Sequence, residues 1–146
     1  MKEENKIESV AELEKWFNKN CYNKDSYSIN GNVILQGFRL ENNGGLFQWS
    51  YFEQGEWETL KYFRTEKEAV QYVFEVIRTD EHAKRNYIGM YKSDQETEEI
   101  LAELKKRNVE YWTDKIPYGG PNDWRTRVFV IGCGIKKAMD LIQKPW

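Results

Sequence analysis

The sequence predicts an α+β fold in a single domain, residues 1–146, in which a mainly antiparallel sheet is covered by helices. Three observations support this prediction. Capping patterns precede three segments whose apolar residues recur at helical spacing. Alternating, strand-like runs lie between the first two of these segments, separated by short turns rich in Gly and Asn. The length of 146 residues, 40% of them hydrophobic, suits one core.

The first predicted helix begins after Ser9. Ser9 can cap the helix while Glu12, three residues later, reaches back to it. The apolar residues that follow fall on one face: Val10, Leu13, Trp16 and Phe17. We expect residues 1–8 to form a flexible leader, and the Asn-rich segment 18–23 to end the helix.

A meander of four strands is predicted next, near residues 26–30, 33–41, 46–53 and 56–63. The turns between them are short and contain Gly or Asn, so consecutive strands are expected to pair antiparallel. Strict alternation would place Trp57, Thr59 and Lys61 on one face of the fourth strand, and Leu60 and Tyr62 on the other. We expect Trp16 and Trp49 to lie in the core.

A second helix is predicted from Thr65, which with Glu68 repeats the capping box, to about Arg78. Its apolar stripe includes Val73 and Ile77 and is wide enough to cover the sheet. We therefore interpret this segment as the main core helix.

The remaining segments are predicted from the same kinds of signal. Residues 80–92 are predicted to have irregular structure, and a third capped helix follows over 93–108. The C-terminal part supplies two more strands, 109–115 and 124–131, joined by the loop IPYGGPND, and then a final helix over 135–143.

The residues that catalysis would require are scarce, and we predict that the protein is not an enzyme. His82 is the only imidazole and stands in a polar stretch. Cys21 and Cys133 are expected to be reduced and to pack as small hydrophobes. The segment Gly132-Cys133-Gly134 lacks the spacing of a phosphate-binding loop. Neither a metal site nor a cofactor is expected.

The charge balance and hydropathy exclude several other classes. With 22 basic and 24 acidic side chains, the chain is not expected to bind nucleic acid directly. It contains no run of 18 apolar residues and begins without the apolar stretch of a signal peptide. We therefore expect a cytoplasmic protein that does not interact with membranes.

The abundance of aromatic residues, with six Trp, nine Tyr and seven Phe, favours a binding protein. Candidate partner-binding residues fall in three places. The end of the third strand and the start of the fourth contribute Glu53, Glu56, Trp57 and Glu58; the IPYGGPND loop and its following strand contribute Tyr118, Asp123 and Trp124; the third helix contributes Glu98 and Glu99. Against this interpretation, tryptophans are commonly core residues, and an acidic run often marks only a solvated helix start.

The order of segments resembles a family of small immunity proteins from bacterial polymorphic toxin systems, especially those of Gram-positive bacteria. The segments that carry this resemblance are SVAELEKWF, SYSING, GGLFQWSYFEQGEWETLKYF, TEKEAVQYVFEVI, YIGMY and WRTRVFVIGCGI. They span nearly the whole chain, from about residue 9 to 143, and contain no catalytic signature.

The resemblance implies an immunity protein, or antitoxin, that binds and blocks the C-terminal domain of a cognate toxin, with a nuclease as one candidate toxin. The expected partner is that toxin domain, and the expected state is a monomer or weak dimer. The alternative is a sensor or adaptor domain that binds a small molecule or peptide; a nucleic-acid adaptor ranks lower. A sensor should show a closed apolar pocket, and an immunity protein a broad, partly acidic surface.

Overall fold

The structure, a computed structural model, describes residues 7–144. The chain divides into two compact units, one ending at Ala83 and the other beginning at Lys84. Each unit has its own sheet, its own helices and its own hydrophobic core. The predicted α+β class is confirmed, and the meander and the C-terminal strands lie in two sheets. Of the predicted leader, residues 1–6 lie outside the described residues, whereas Ile7 is buried in the first core.

The first unit contains two α-helices and a four-stranded sheet. Its elements are α1 (Val10–Lys19), β1 (Tyr27–Ser28), β2 (Gly37–Asn43), β3 (Leu46–Glu53), β4 (Glu56–Phe63) and α2 (Glu66–Arg78). The strand order is β1-β2-β3-β4, and the β2–β3 and β3–β4 pairs are antiparallel, as predicted. Ser9 and Thr65 cap α1 and α2 through their side chains, so both predicted capping boxes are confirmed.

The pairing of β1 with β2 is parallel, and the prediction of an antiparallel hairpin there is wrong. The reason is a turn closed by side chains. Asn32 Nδ2 donates to the Tyr27 carbonyl at 2.9 Å, its Oδ1 accepts from Ile29 N at 3.2 Å, and Ser28 Oγ donates to the Asn32 carbonyl at 2.5 Å. The chain therefore reverses at once, and residues 33–36 run back as a loop.

A bulge between β3 and β4 also changes the predicted alternation. Ser50 pairs with Thr59, but Trp49 pairs with Lys61, so Leu60 has no opposite residue. The extra residue puts Thr59 and Lys61 on opposite faces, contrary to the expectation that they share one. Lys61 Nζ accordingly lies 4.8 Å from the centre of the Tyr72 ring of α2.

The core of the first unit forms where α1 and α2 meet the sheet. Trp16 and Trp49 are buried, as expected, and Val73 and Ile77 of α2 are fully buried. Trp16 packs on Phe74 with ring centroids 4.5 Å apart. The predicted apolar stripe of α2 is thus confirmed as the covering layer.

The second unit contains a three-stranded antiparallel sheet in the order β5-β7-β6. Its elements are β5 (Arg85–Tyr91), α3 (Asp94–Lys106), β6 (Tyr111–Pro117) and β7 (Trp124–Ile131). The predicted third helix is confirmed with its Ser93 cap. The core is formed by Ile88, Leu104, Val109, Val128, Val130 and Ala138.

Three further expectations are wrong. Most of the segment 80–92 is regular, because a 3-10 turn at Glu81–Lys84 leads into β5, whose bulge at Ile88 hides the alternation. The final helix is replaced by two 3-10 turns, Gly132–Lys137 and Met139–Leu141. Neither Cys21 nor Cys133 is a free thiol.

None of the helices in the described part of the chain is both long enough and apolar enough to span a membrane.

Truncation of the covering helix should destabilise the protein strongly. We expect Ile77→Ala to lower the free energy of unfolding by about 2–5 kcal/mol, because the side chain is fully buried and the cavity cannot refill completely. Glu75→Ala, on the exposed face of the same helix, is the control and should change it little. The measurement is urea denaturation followed by circular dichroism; equal midpoints for the two variants would contradict the packing.

A second stability prediction concerns Gly37, where β2 begins against the chain before β1. Its φ is +140°, and a Cβ there would collide with the Ser26 carbonyl, which accepts a 2.8 Å hydrogen bond from Phe38 N. We expect Gly37→Ala to lower the stability of the fold more than Gly44→Ala does. Gly44 also has a positive φ, but a Cβ there would meet no other atom. Thermal melting of both variants checks this, and equal losses would show that the close approach is unimportant.

Candidate partner-binding surface

The hairpin between β3 and β4 brings the first group of predicted residues together. Gln54 and Gly55 both have positive φ, at 52° and 80°, which a two-residue hairpin turn requires. The resulting register sets Glu53 opposite Glu56 and Phe52 opposite Trp57. The tip of the hairpin therefore presents carboxylates beside a large ring.

Trp57 is the centre of this surface. Its side chain is 41% exposed, and its ring stacks on Phe52 with centroids 4.3 Å apart. A shallow depression of about 290 Å³ is lined by Tyr51, Glu53, Glu56, Trp57 and Glu58. We call these five residues the hairpin-tip surface.

The carboxylates of the hairpin-tip surface have no ionic partner among residues 7–144. Glu53, Glu56 and Glu58 are all exposed and take part in none of the ion pairs within this range. Glu53 and Glu56 stand directly opposite each other on paired strands. Like charges in this arrangement destabilise a sheet. A positively charged partner would remove this repulsion.

Arg39 of β2 is a contributor that the sequence did not reveal. Its guanidinium carbon lies 3.6 Å from the centre of the Trp57 ring, and its Nη2 lies 3.1 Å from Glu41 Oε1. Its Nε is buried and donates to no acceptor among the described residues. Arg39 and Trp57 lie 18 positions apart on strands separated by β3, so no local pattern links them.

A cleft of about 670 Å³ lies on the Arg39 side of Trp57. Its lining includes apolar side chains of β2 and β3, the loop after β1, and the carboxylates of Glu41 and Glu66. Glu66 Oε2 accepts a 2.7 Å hydrogen bond from Val10 N, which ties α1 to the start of α2. The cleft combines apolar walls with a few polar groups, as ligand sites commonly do.

The second group of predicted residues lies at the β6–β7 connection in the other unit. Tyr118 and Trp124 are 62% and 53% exposed, and Trp124 Nε1 donates to the Pro121 carbonyl at 2.8 Å. Asp123, the third predicted residue of this group, is only partly accessible. It accepts hydrogen bonds from Arg125 Nε and Nη2 at 2.9 and 3.1 Å, which lower its pKa.

The third group consists of Glu98 and Glu99, which are exposed on α3. Other acids of that helix have structural roles, since Glu96 accepts from the capping Ser93 and Glu103 pairs with Arg107 at 2.8 Å. The predicted site residues thus lie on three elements, the β3–β4 hairpin, the β6–β7 connection and α3. Among the described residues of these elements, unpaired acids occur beside an exposed ring at the hairpin.

One tyrosine has a strongly raised pKa. The pKa of Tyr27 is raised chiefly by burial and also by its 2.6 Å hydrogen bond to Asp80, a pair that fixes β1 to the end of α2. Among the described residues no group of three or more His, Cys, Asp or Glu side chains could hold a metal ion.

Comparison with known proteins gives no match: no family model, curated protein or solved structure is significantly similar to this chain.

The ion pair at the β6–β7 connection yields a pH-dependent prediction. Arg125→Gln should raise the pKa of Asp123 toward its ordinary value, because the hydrogen bonds to the carboxylate are lost. Since the folded-state pKa is lowered, the pair stabilises the fold above the unfolded-state pKa, and this stabilisation is lost as pH falls through the folded-state pKa. Carboxyl ¹³C NMR titration measures the shift. Arg127→Gln, whose arginine pairs with Asp114, is the control and should leave Asp123 unchanged.

Proposed function

We propose that this protein is an immunity protein that binds and blocks the C-terminal domain of a cognate polymorphic toxin, with the hairpin-tip surface as its contact. The observation that carries the proposal is the grouping of three unpaired carboxylates around the exposed Trp57. The resemblance of the segment order to immunity proteins supplies the toxin as the partner.

The charge distribution supports a basic partner. The first unit carries 15 acidic and 10 basic side chains, whereas the second carries 9 acidic and 12 basic. An acidic unit attracts a basic surface and raises the association rate. A nuclease is one toxin class that fits, because a groove that binds phosphate is basic and carboxylates can occupy it in place of phosphate.

Trp57 supplies the apolar part of the contact. Tryptophan is enriched at the energetic centres of interfaces, where it buries much area with little loss of side-chain entropy. The ring is held between Phe52 and the Arg39 guanidinium, so its orientation is set before binding. Preorganisation of this kind reduces the entropic cost of association.

In this proposal the protein is not an enzyme and acts stoichiometrically in the cytoplasm, where it would protect the cell that makes the toxin. Protection is therefore expected to follow from affinity alone. His82→Ala should leave it unchanged.

The second candidate function is that of a sensor or adaptor that binds a small molecule or peptide. The cleft beside Arg39 favours it, since about 670 Å³ lies within the usual range of ligand pockets. Trp57 lines both the cleft and the hairpin-tip surface. This shared lining is equally compatible with a protein partner.

Charge reversal on the hairpin tests the main proposal. We expect Glu56→Lys combined with Glu58→Lys to slow association with the purified toxin domain, while the dissociation rate changes less, because these carboxylates steer the encounter. Added salt should lower the association rate of the unmodified protein steeply and that of the variant much less. Surface plasmon resonance at low and physiological salt provides the rates.

The matched control is Glu98→Lys combined with Glu99→Lys, which changes the net charge equally on α3. If the association rate falls more in this control than in the hairpin variant, the binding face is α3 and not the hairpin-tip surface. If the toxin domain encoded beside this gene does not bind at all, or if neither double variant nor salt alters the rate, the proposed acidic contact is wrong.

A further inference from the structure

The loop between β1 and β2 exposes two branched aliphatic side chains almost completely. Val33 and Leu35 are 91% and 90% exposed, more than any other large hydrophobic residue in the described part of the chain. Consecutive apolar residues on a surface reduce solubility and commonly mark an interaction site. This loop was not among the candidates that the sequence predicted.

The loop is held in this exposed form by hydrogen bonds at both ends. The Asn32 side chain closes its start against Tyr27 and Ile29, and Gln36 Nε2 donates to the Tyr51 hydroxyl at 3.2 Å near its end. Val33 and Leu35 are therefore presented on a backbone that is anchored on each side.

The same loop forms one wall of the cleft beside Arg39. Val33 and Ile34 line it from the loop, and Leu40, Phe47 and Phe52 line it from the sheet. Its volume of about 670 Å³ is sufficient for one or two large apolar side chains of a polypeptide segment. The apolar loop and the apolar cleft thus make one continuous surface.

The charge of the cleft determines what can enter it. Among the described residues of the lining, Arg39 is the only basic one, and it is already paired with Glu41 and stacked on Trp57. Glu41 and Glu66 also line the cleft, and Trp57 lines both the cleft and the hairpin-tip surface with its unpaired carboxylates. An anionic ligand would meet these acids, whereas a cationic one would be attracted.

We infer that the cleft receives a large apolar side chain of a partner polypeptide flanked by Lys or Arg, with Val33 and Leu35 packing against the same segment. The inference rests on the proposed function, which it deepens by assigning the kind of toxin segment that is recognised. The apolar side chain gains burial, and its basic neighbours pair with the carboxylates around the cleft.

The test uses a short synthetic probe and no toxin, so its outcome is separate from that of the proposed function. The probe is the acetylated and amidated tetrapeptide Lys-Leu-Phe-Lys. Two matched peptides, Glu-Leu-Phe-Glu and Lys-Gly-Ser-Lys, remove the charge complementarity and the apolar side chains respectively. Binding is followed by ¹H–¹⁵N NMR at peptide concentrations up to the millimolar range.

We expect Lys-Leu-Phe-Lys to shift the signals of Val33, Leu40 and the Trp57 indole, and both matched peptides to bind at least about tenfold more weakly. Val33→Ser combined with Leu35→Ser should weaken binding of the probe roughly tenfold, because apolar burial is lost. Met139→Ser, which changes an exposed apolar residue of the other unit, should have no effect. Circular dichroism confirms that each variant is folded.

The inference would be overturned by the absence of any shift of these signals up to millimolar probe, by equal binding of Glu-Leu-Phe-Glu, or by undiminished binding to the loop variant. Binding of Lys-Leu-Phe-Lys at the cleft together with failure to bind the toxin domain would uphold the cleft and overturn the immunity function. Equal shifts from Lys-Gly-Ser-Lys would show a purely electrostatic surface and would also overturn it.

Discussion

The burial of Trp49 is the interaction on which the first unit depends. The indole is 2% exposed and nearly parallel to the Phe38 ring, with centroids 5.3 Å apart. The Tyr27 ring also stacks with the indole, with centroids 6.3 Å apart. These three rings belong to β3, β2 and β1, and Tyr72 of α2 meets Trp49 edge-on at 6.4 Å. One side chain thus fixes the register of three strands and the position of the covering helix. Loss of this packing would release the parallel β1–β2 pair, which has only two residues in its ladder.

That register decides what the opposite face of the sheet presents. Successive residues of a strand point to opposite faces, so with Phe38 and Leu40 turned to the core, Arg39 and Glu41 are turned away from it. Arg39 can then stack on Trp57, which the hairpin register places beside Phe52. The contact of Arg39 with Trp57 therefore depends on the core packing of the neighbouring residues of β2. The bulge at Leu60 ends the regular alternation just beyond this region.

The sequence predicted the features that depend on near neighbours. The three capping boxes, the α2 stripe and the β3–β4 turn were all recognisable, since each needs residues within about four positions of one another. The parallel β1–β2 pair was not, because the Asn32 side chain replaces the backbone bonds of a hairpin. β5 was missed because its bulge at Ile88 interrupts the period. The residues of the final 3-10 turns have the pattern of an α-helix but do not form α-helical hydrogen bonds.

The candidate surface likewise combines residues that are near in sequence with residues that only the fold brings together. Glu53, Glu56 and Trp57 follow one another closely, so their proximity could be predicted, whereas Arg39 and the exposed Val33 reach them only through strand order and a reversed loop. The resulting arrangement opposes stability, since it leaves like charges paired across strands and an aliphatic side chain in water. A sequence selected only for folding would place a cation near Glu53 and a polar residue at Val33. In the proposed function, a partner that neutralises the acids and covers the loop would account for both features.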